Sequence, residues 1–192
     1  LNSSRDAARL GFSLALTLLL EKMDFVPAEY VYYTQDGISE KNKGLKGQEE
    51  KEYYFARMFA VMVVLRARMI DRSENKKDVI EKSIKIVQET MKKKSYLMEW
   101  GCTILKDIIN EYKVKVEPIY KEMAVEYSKN CSVDTLMVLL TLQRNFKGWD
   151  WKGILNNEWE NEIITSAENV EKLSEILKES TKAHPRLHST WL

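Results

Sequence analysis

The chain has 192 residues, enough for one sizeable domain or a short array of repeats with a core of its own. Its 44% hydrophobic and 31% charged residues exclude a disordered chain. A net charge of +1, from 30 basic and 29 acidic residues, excludes a uniformly basic nucleic-acid binder but leaves room for a local basic face.

Only seven glycines and three prolines punctuate the chain, which favours long helices over many tight turns. The first predicted element is Ser3 to Met23, SSRDAARLGFSLALTLLLEKM. Ser3-x-x-Asp6 has the spacing of a capping box, and the run from Leu10 to Leu20 is apolar on almost every face. Such a helix needs enclosure, and the run is too short to span a bilayer, so it is read as a central helix packed on several sides. Small Gly11 and Ser13 would let a neighbouring backbone come near, and Arg5 and Arg9, four apart, would share a face.

Pro27 closes that helix, and Ala28 to Tyr33 is read as one or two further turns. The segment 34–47, TQDGISEKNKGLKG, lacks helical periodicity and is expected to be a solvated, mobile loop. Gln48 to Met69 is the second long helix, with Tyr54, Phe55, Met58, Phe59, Met62, Val63 and Leu65 on a buried stripe. Arg57, Arg66, Arg68 and Arg72 lie on or beyond it. Asn75 to Lys93 follows, with Val79, Ile80, Ile84, Val87 and Met91 on its inner side.

Tyr96 to Tyr112 makes a fourth helix, and Pro118 sits near the first turn of a fifth that runs to about Asn130. Ser132 caps a sixth, Val133 to Phe146, again apolar nearly all round. One short helix is expected at Ile154 to Trp159. Thr165-x-x-Glu168 reads as a second capping box, opening a last helix through Val170, Leu173, Ile176 and Leu177. No stretch alternates with period two for long enough to demand a sheet. The fold class is all-α, either a HEAT/armadillo-like helical repeat (an α-solenoid) or an irregular helical bundle. Residues 1–192 are read as a single α-helical repeat domain, a fragment of a longer chain.

Three stretches carry a resemblance. SSRDAARLGFSLALTLLL at the start is similar to the N-terminal signature of the DNA polymerase phi / Myb-binding protein 1A family. Leu155 to Leu177 resembles that family's Asn/Glu-rich lead into a helix ending Leu-x-x-Ile-Leu. His184, Pro185, Arg186, His188 and Trp191 reproduce its His-Pro-Arg-x-His-x-x-Trp segment. The middle, from Pro27 to Trp149, agrees in helical character alone. The resemblance implies a nuclear, nucleolar helical-repeat scaffold in ribosome biogenesis, acting in large-subunit assembly, rRNA processing and regulation of rDNA transcription. Its implied partners are pre-ribosomal proteins and rRNA or rDNA-associated factors. A transcription co-regulator that grips DNA-bound factors through an apolar groove is the alternative.

The family name also raises a polymerase. Two-metal phosphoryl transfer needs clustered carboxylates, and Asp71, Asp78, Asp107, Asp134 and Asp150 each stand singly. A non-enzymatic role is therefore expected, with no cofactor, metal, membrane or small-molecule substrate. His184 and His188 have a spacing seen in zinc sites but lack further ligands nearby, so they are read as a structural motif packing Trp191. Cys102 and Cys131 fit no paired spacing and are read as core thiols. Partner contacts are assigned to Arg5, Arg9, Arg57, Arg66, Arg68 and Arg72, whose forked guanidinium groups suit phosphates and carboxylates; each is also an ordinary candidate for an intramolecular ion pair. Trp149 and Trp151, interleaved with Lys147 and Lys152, form the one aromatic–basic cluster suited to single-stranded RNA, set against the commoner reading of a hydrophobic corner.

Overall fold

The computed structural model describes residues 1, 3–41, 46–113 and 116–183. Among them there is no strand, and the chain is all-α. None of these helices is long and apolar enough to cross a membrane. The contacts fall into two compact units, 1–97 and 98–192, each taken by itself below.

The first unit holds α1 (Asp6–Lys22), α2 (Ala28–Lys41), α3 (Gln48–Arg66), the single turn α4 (Met69–Arg72) and α5 (Lys76–Met91). Its organising element is α3, which packs against α1, α2, α4 and α5. Ala56, Met58, Ala60, Val61, Val63, Val64 and Leu65 of α3 are all buried, and the small alanines let neighbouring helices close in. Tyr54, Phe55, Phe59 and Met62, expected on the buried stripe, are only half-buried. The stripe predicted for α5 is present in full, with Val79, Ile80, Ile84, Val87 and Met91 buried. Tyr32 of α2 and Ser83 of α5, both buried, share a hydroxyl hydrogen bond of 2.7 Å.

Three expectations change here. The first helix is not central: its buried residues are Arg9, Ser13, Thr17 and Leu20, while Leu10, Phe12, Leu14, Leu18 and Leu19 are exposed. The polar stripe is the one that fits against α3 because it satisfies itself. Ser13 donates to the Leu10 carbonyl, Thr17 to that of Ser13, and the Arg9 guanidinium lies 4.8 Å from the Phe55 ring centre. The Ser3-x-x-Asp6 capping box is absent, because the Asp6 carboxylate pairs with Arg9 and the helix starts after Arg5 without a side-chain cap. The third change concerns the segment 34–47, which is helical through Lys41. Ala28, Val31 and Tyr32 anchor α2 at its first turns, and Thr34 bonds back to the Tyr30 carbonyl as the helix continues.

The second unit holds α6 (Met98–Glu111), α7 (Glu117–Lys129), α8 (Val133–Asn145), the short α9 (Trp151–Leu155) and α10 (Val170–Ala183). Here α8 is the centre, packed against α6, α7 and α10. The cap predicted at Ser132 forms, and Thr135 adds a reciprocal bond that completes a capping box the sequence reading did not include. Val133 to Leu139 is buried without a break, as all-round apolarity demands.

The short helix falls at Trp151–Leu155 and not at 154–159, because the Asp150 carboxylate accepts from the Gly153 N–H at 3.0 Å and Asn156 ends the turn in the left-handed region. The expected capping box Thr165-x-x-Glu168 is replaced by a 3-10 turn, Ala167–Asn169, leading into α10. Buried Asn169 instead ties the preceding loop, donating to the carbonyls of Asn161 and Ile163 and accepting from the Asn161 N–H.

Candidate functional site: an aromatic and basic cleft

The second unit carries a cleft of about 630 Å³ beside the C-terminal turns of α8. It arises because the chain leaves α8 at Asn145 and reverses before α9. The Trp149 N–H bonds the Phe146 carbonyl at 3.2 Å, and the Trp151 indole bonds the same carbonyl at 2.9 Å. That reversal sets Phe146 and Trp149 face to face, with ring centres 4.2 Å apart and 13° between planes. Trp151 lies 5.9 Å from Trp149 and is itself buried.

Glu117 fixes the far edge of the Trp149 ring, accepting from its indole N–H at 2.8 Å. Lys121, bonded to the same carboxylate at 3.0 Å, lies 5.3 Å from the ring centre. The Lys121 hydrogen bond, followed by that of Trp149, holds the Glu117 carboxyl below its ordinary value.

The opposite wall is the segment after α9, tied to α8 by Gln143. Its amide donates to the Glu162 carbonyl at 2.7 Å and accepts from the Ile164 N–H at 3.1 Å. Leu140 and Ile163 give the cleft apolar walls, and Arg144 and Lys147, both exposed, bring positive charge to it. Concave, mostly apolar surfaces with a few placed charges are where proteins take ligands.

The structure therefore gathers Lys147, Trp149 and Trp151 at one cleft, while exposed Lys152 is not among its lining. Sequence reasoning missed Arg144, three residues before Lys147, and Glu162, which is distant in sequence. The signal available for Arg144 was its place in the last turn of a predicted helix beside the aromatic run.

The arginine cluster belongs to the first unit and is dispersed in role. Arg9, at 2% exposure, donates to the Ser3 carbonyl and pairs with Asp6. Arg72 donates to the Leu20 carbonyl at the end of α1, where a cation complements the helix dipole. Arg57 pairs with Glu89 at 3.2 Å, and Arg68, in the left-handed region at φ 56°, pairs with Asp71 at 3.3 Å. Arg5 and Arg66 are exposed. His184, Pro185, Arg186, His188 and Trp191 lie outside the described residues.

Both thiols are free. Burial raises that of Cys102 strongly and that of Cys131 to about 11, so neither is an activated nucleophile at neutral pH. Among the described residues no three His, Cys, Asp or Glu side chains are placed to hold a metal ion.

Comparison with known proteins adds the following. A protein of Schizosaccharomyces pombe, the rDNA transcriptional regulator pol5, is 26% identical over 99 residues. That match takes in 52% of this chain but 10% of the relative, so the chain spans about a tenth of that protein's length. No solved structure matches. The family model for DNA polymerase phi matches residues 1–192, the whole of the sequence. The chain thus belongs to the DNA polymerase phi family.

Proposed function

We propose that this segment is a non-enzymatic helical scaffold within a nucleolar protein that regulates rDNA transcription and supports large ribosomal-subunit assembly, and that the cleft of the second unit contacts rRNA. The observation that carries the reading is the match to a relative named as an rDNA transcriptional regulator, a name that describes regulation and not catalysis. The geometry supports a nucleic-acid contact in particular. Arg144 and Lys147 supply phosphate-pairing charge beside Trp149, and aromatic walls with adjacent cations suit unpaired bases. On the first unit, taken by itself, exposed Arg66 is a separate candidate for contact with a phosphate backbone.

The test uses the full-length protein in a nuclear extract. Co-sedimentation with large-subunit precursors, release by RNase, and weaker co-sedimentation of an Arg144→Glu, Lys147→Glu variant are expected. A light species unmoved by RNase overturns the reading. That outcome would move weight to the second reading, a co-regulator of DNA-bound factors. Its expected signature is an exposed apolar patch, and α1 carries one.

A further inference from the structure

The pattern Thr165-x-x-Glu168 has no capping role in the fold. The 3-10 turn in its place starts after Ser166 without a side-chain cap, and the Thr165 hydroxyl has no hydrogen-bond partner among the described residues. Thr165 is exposed, and it lines the cleft of the second unit together with Arg144 and Lys147. The Gln143 tie holds it there, because the neighbouring Ile164 N–H donates to the Gln143 side-chain carbonyl at 3.1 Å.

The charge around Thr165 is one-sided. From Gly153 to Glu171 the chain has five glutamates and no lysine or arginine. Glu162 and Glu168, three residues before and after Thr165, are exposed, as are Ile163 and Ala167. A threonine flanked in this way suits an enzyme whose peptide groove is basic. A serine or threonine with an acid three positions later occurs at one other place in the chain, Ser3 and Asp6. There Arg9 holds the carboxylate, and the Ser3 oxygen accepts from the Arg5 N–H. Ser166 lacks an acid at that spacing, and its hydroxyl oxygen is buried. Only Thr165 combines the pattern with exposure and an unengaged hydroxyl.

We propose that Thr165 is phosphorylated by an acid-directed protein kinase, and that the phosphate shuts the cleft to RNA by engaging Arg144 and Lys147. The effect on RNA rests on the reading of the cleft as an rRNA contact. In the transfer, the Thr165 oxygen bonds to the γ-phosphorus of ATP as the bond from that phosphorus to the β,γ-bridging oxygen breaks. ADP leaves, and the hydroxyl proton passes to the catalytic carboxylate of the kinase. The product carries about two negative charges at neutral pH, with strong acceptor oxygens. Lys147 forms no ion pair among the described residues, and Arg144 donates to a neutral partner, the Asn110 side-chain carbonyl, at 3.3 Å. Both cations are therefore open to a phosphate, whose charge-assisted bonds are stronger than those to a neutral amide. Cations held in this way are lost to an RNA backbone.

The full-length protein, treated with a purified acid-directed kinase and ATP, tests this. Peptide mass spectrometry should place phosphate on Thr165 and not on Ser166. Labelling by an amine-reactive acetylating reagent should fall several-fold at Lys147 and stay constant at exposed Lys152, which is not among the cleft lining. Affinity for a short fluorescent single-stranded RNA should fall on treatment about tenfold more in wild type than in Thr165→Ala. Absence of phosphate at Thr165, equal labelling of Lys147 before and after treatment, or an RNA affinity that treatment lowers no further in wild type than in Thr165→Ala would overturn the proposal. A wild type that binds no RNA before treatment would overturn the rRNA reading of the cleft and, with it, the switch. Protection of Lys147 is read without RNA, so it separates that failure from failure of the phosphate contact.

Discussion

Helices α1 and α8 look alike in sequence, and each reads as apolar on nearly every side. In the structure they have opposite fates. Helix α8 is enclosed by α6, α7 and α10, with Leu136, Val138, Leu139 and Leu142 fully buried. Helix α1 buries Arg9, Ser13, Thr17 and Leu20 and leaves Leu10, Leu14, Leu18 and Leu19 outside. All-round apolarity states that a helix needs cover. It does not state which element supplies the cover.

The largest effect that tests this contrast comes from truncating equivalent leucines. Leu139→Ala in α8 should cost about 2–5 kcal/mol, the range for emptying a packed core site, read from denaturant unfolding. Leu14→Ala in α1 should change stability by less than about 0.5 kcal/mol, as surface substitutions do. Similar costs at both sites would erase the distinction.

A smaller effect sharpens the account of how α8 is covered. Asn169 holds the segment that Gln143 ties to α8, through three hydrogen bonds to Asn161 and Ile163. Asn169→Ala removes three part-buried hydrogen bonds from this segment and should cost about 1–2 kcal/mol. It should also raise amide exchange at Ile164 before it affects α6.

The smallest effect is a pH dependence at the cleft. The folded Glu117 carboxyl lies below its ordinary value of 4.5, so its contribution is fully present above that value and is lost as pH falls through the folded value. The Trp149 indole N–H resonance should shift with acidification below about pH 4.5 in the wild type, and Glu117→Gln should abolish the shift. An unchanged titration in the variant would remove Glu117 from the cleft's electrostatics.

How much was legible beforehand follows the same division. The α5 stripe and the Ser132 cap could be read directly, because periodicity and capping are local and nothing competes for those residues. The Ser3-x-x-Asp6 box failed because Arg9 claims the carboxylate, a competition that spacing alone does not reveal. Helix α2 past Thr34 was missed because its sequence there has no helical periodicity. In the cleft, Lys147, Trp149 and Trp151 were visible as a local run. Glu162 and Ile163 are brought to it by the Gln143 tie, which joins positions far apart in the chain.

The order of α1 and α3 along the chain also matters during synthesis. The polar seam of α1 has no surface to meet until α3 has left the ribosome, and at roughly 5–20 residues per second the delay is a few seconds. Throughout that interval α3 covers no part of the Leu10 to Leu20 run, and apolar runs of this kind are what holding chaperones bind. By contrast α8 emerges after α6 and α7, with two of its walls already made. Of these two helices α1 is therefore the more exposed to chaperone capture, and ribosome-associated chaperones should crosslink to it more than to α8.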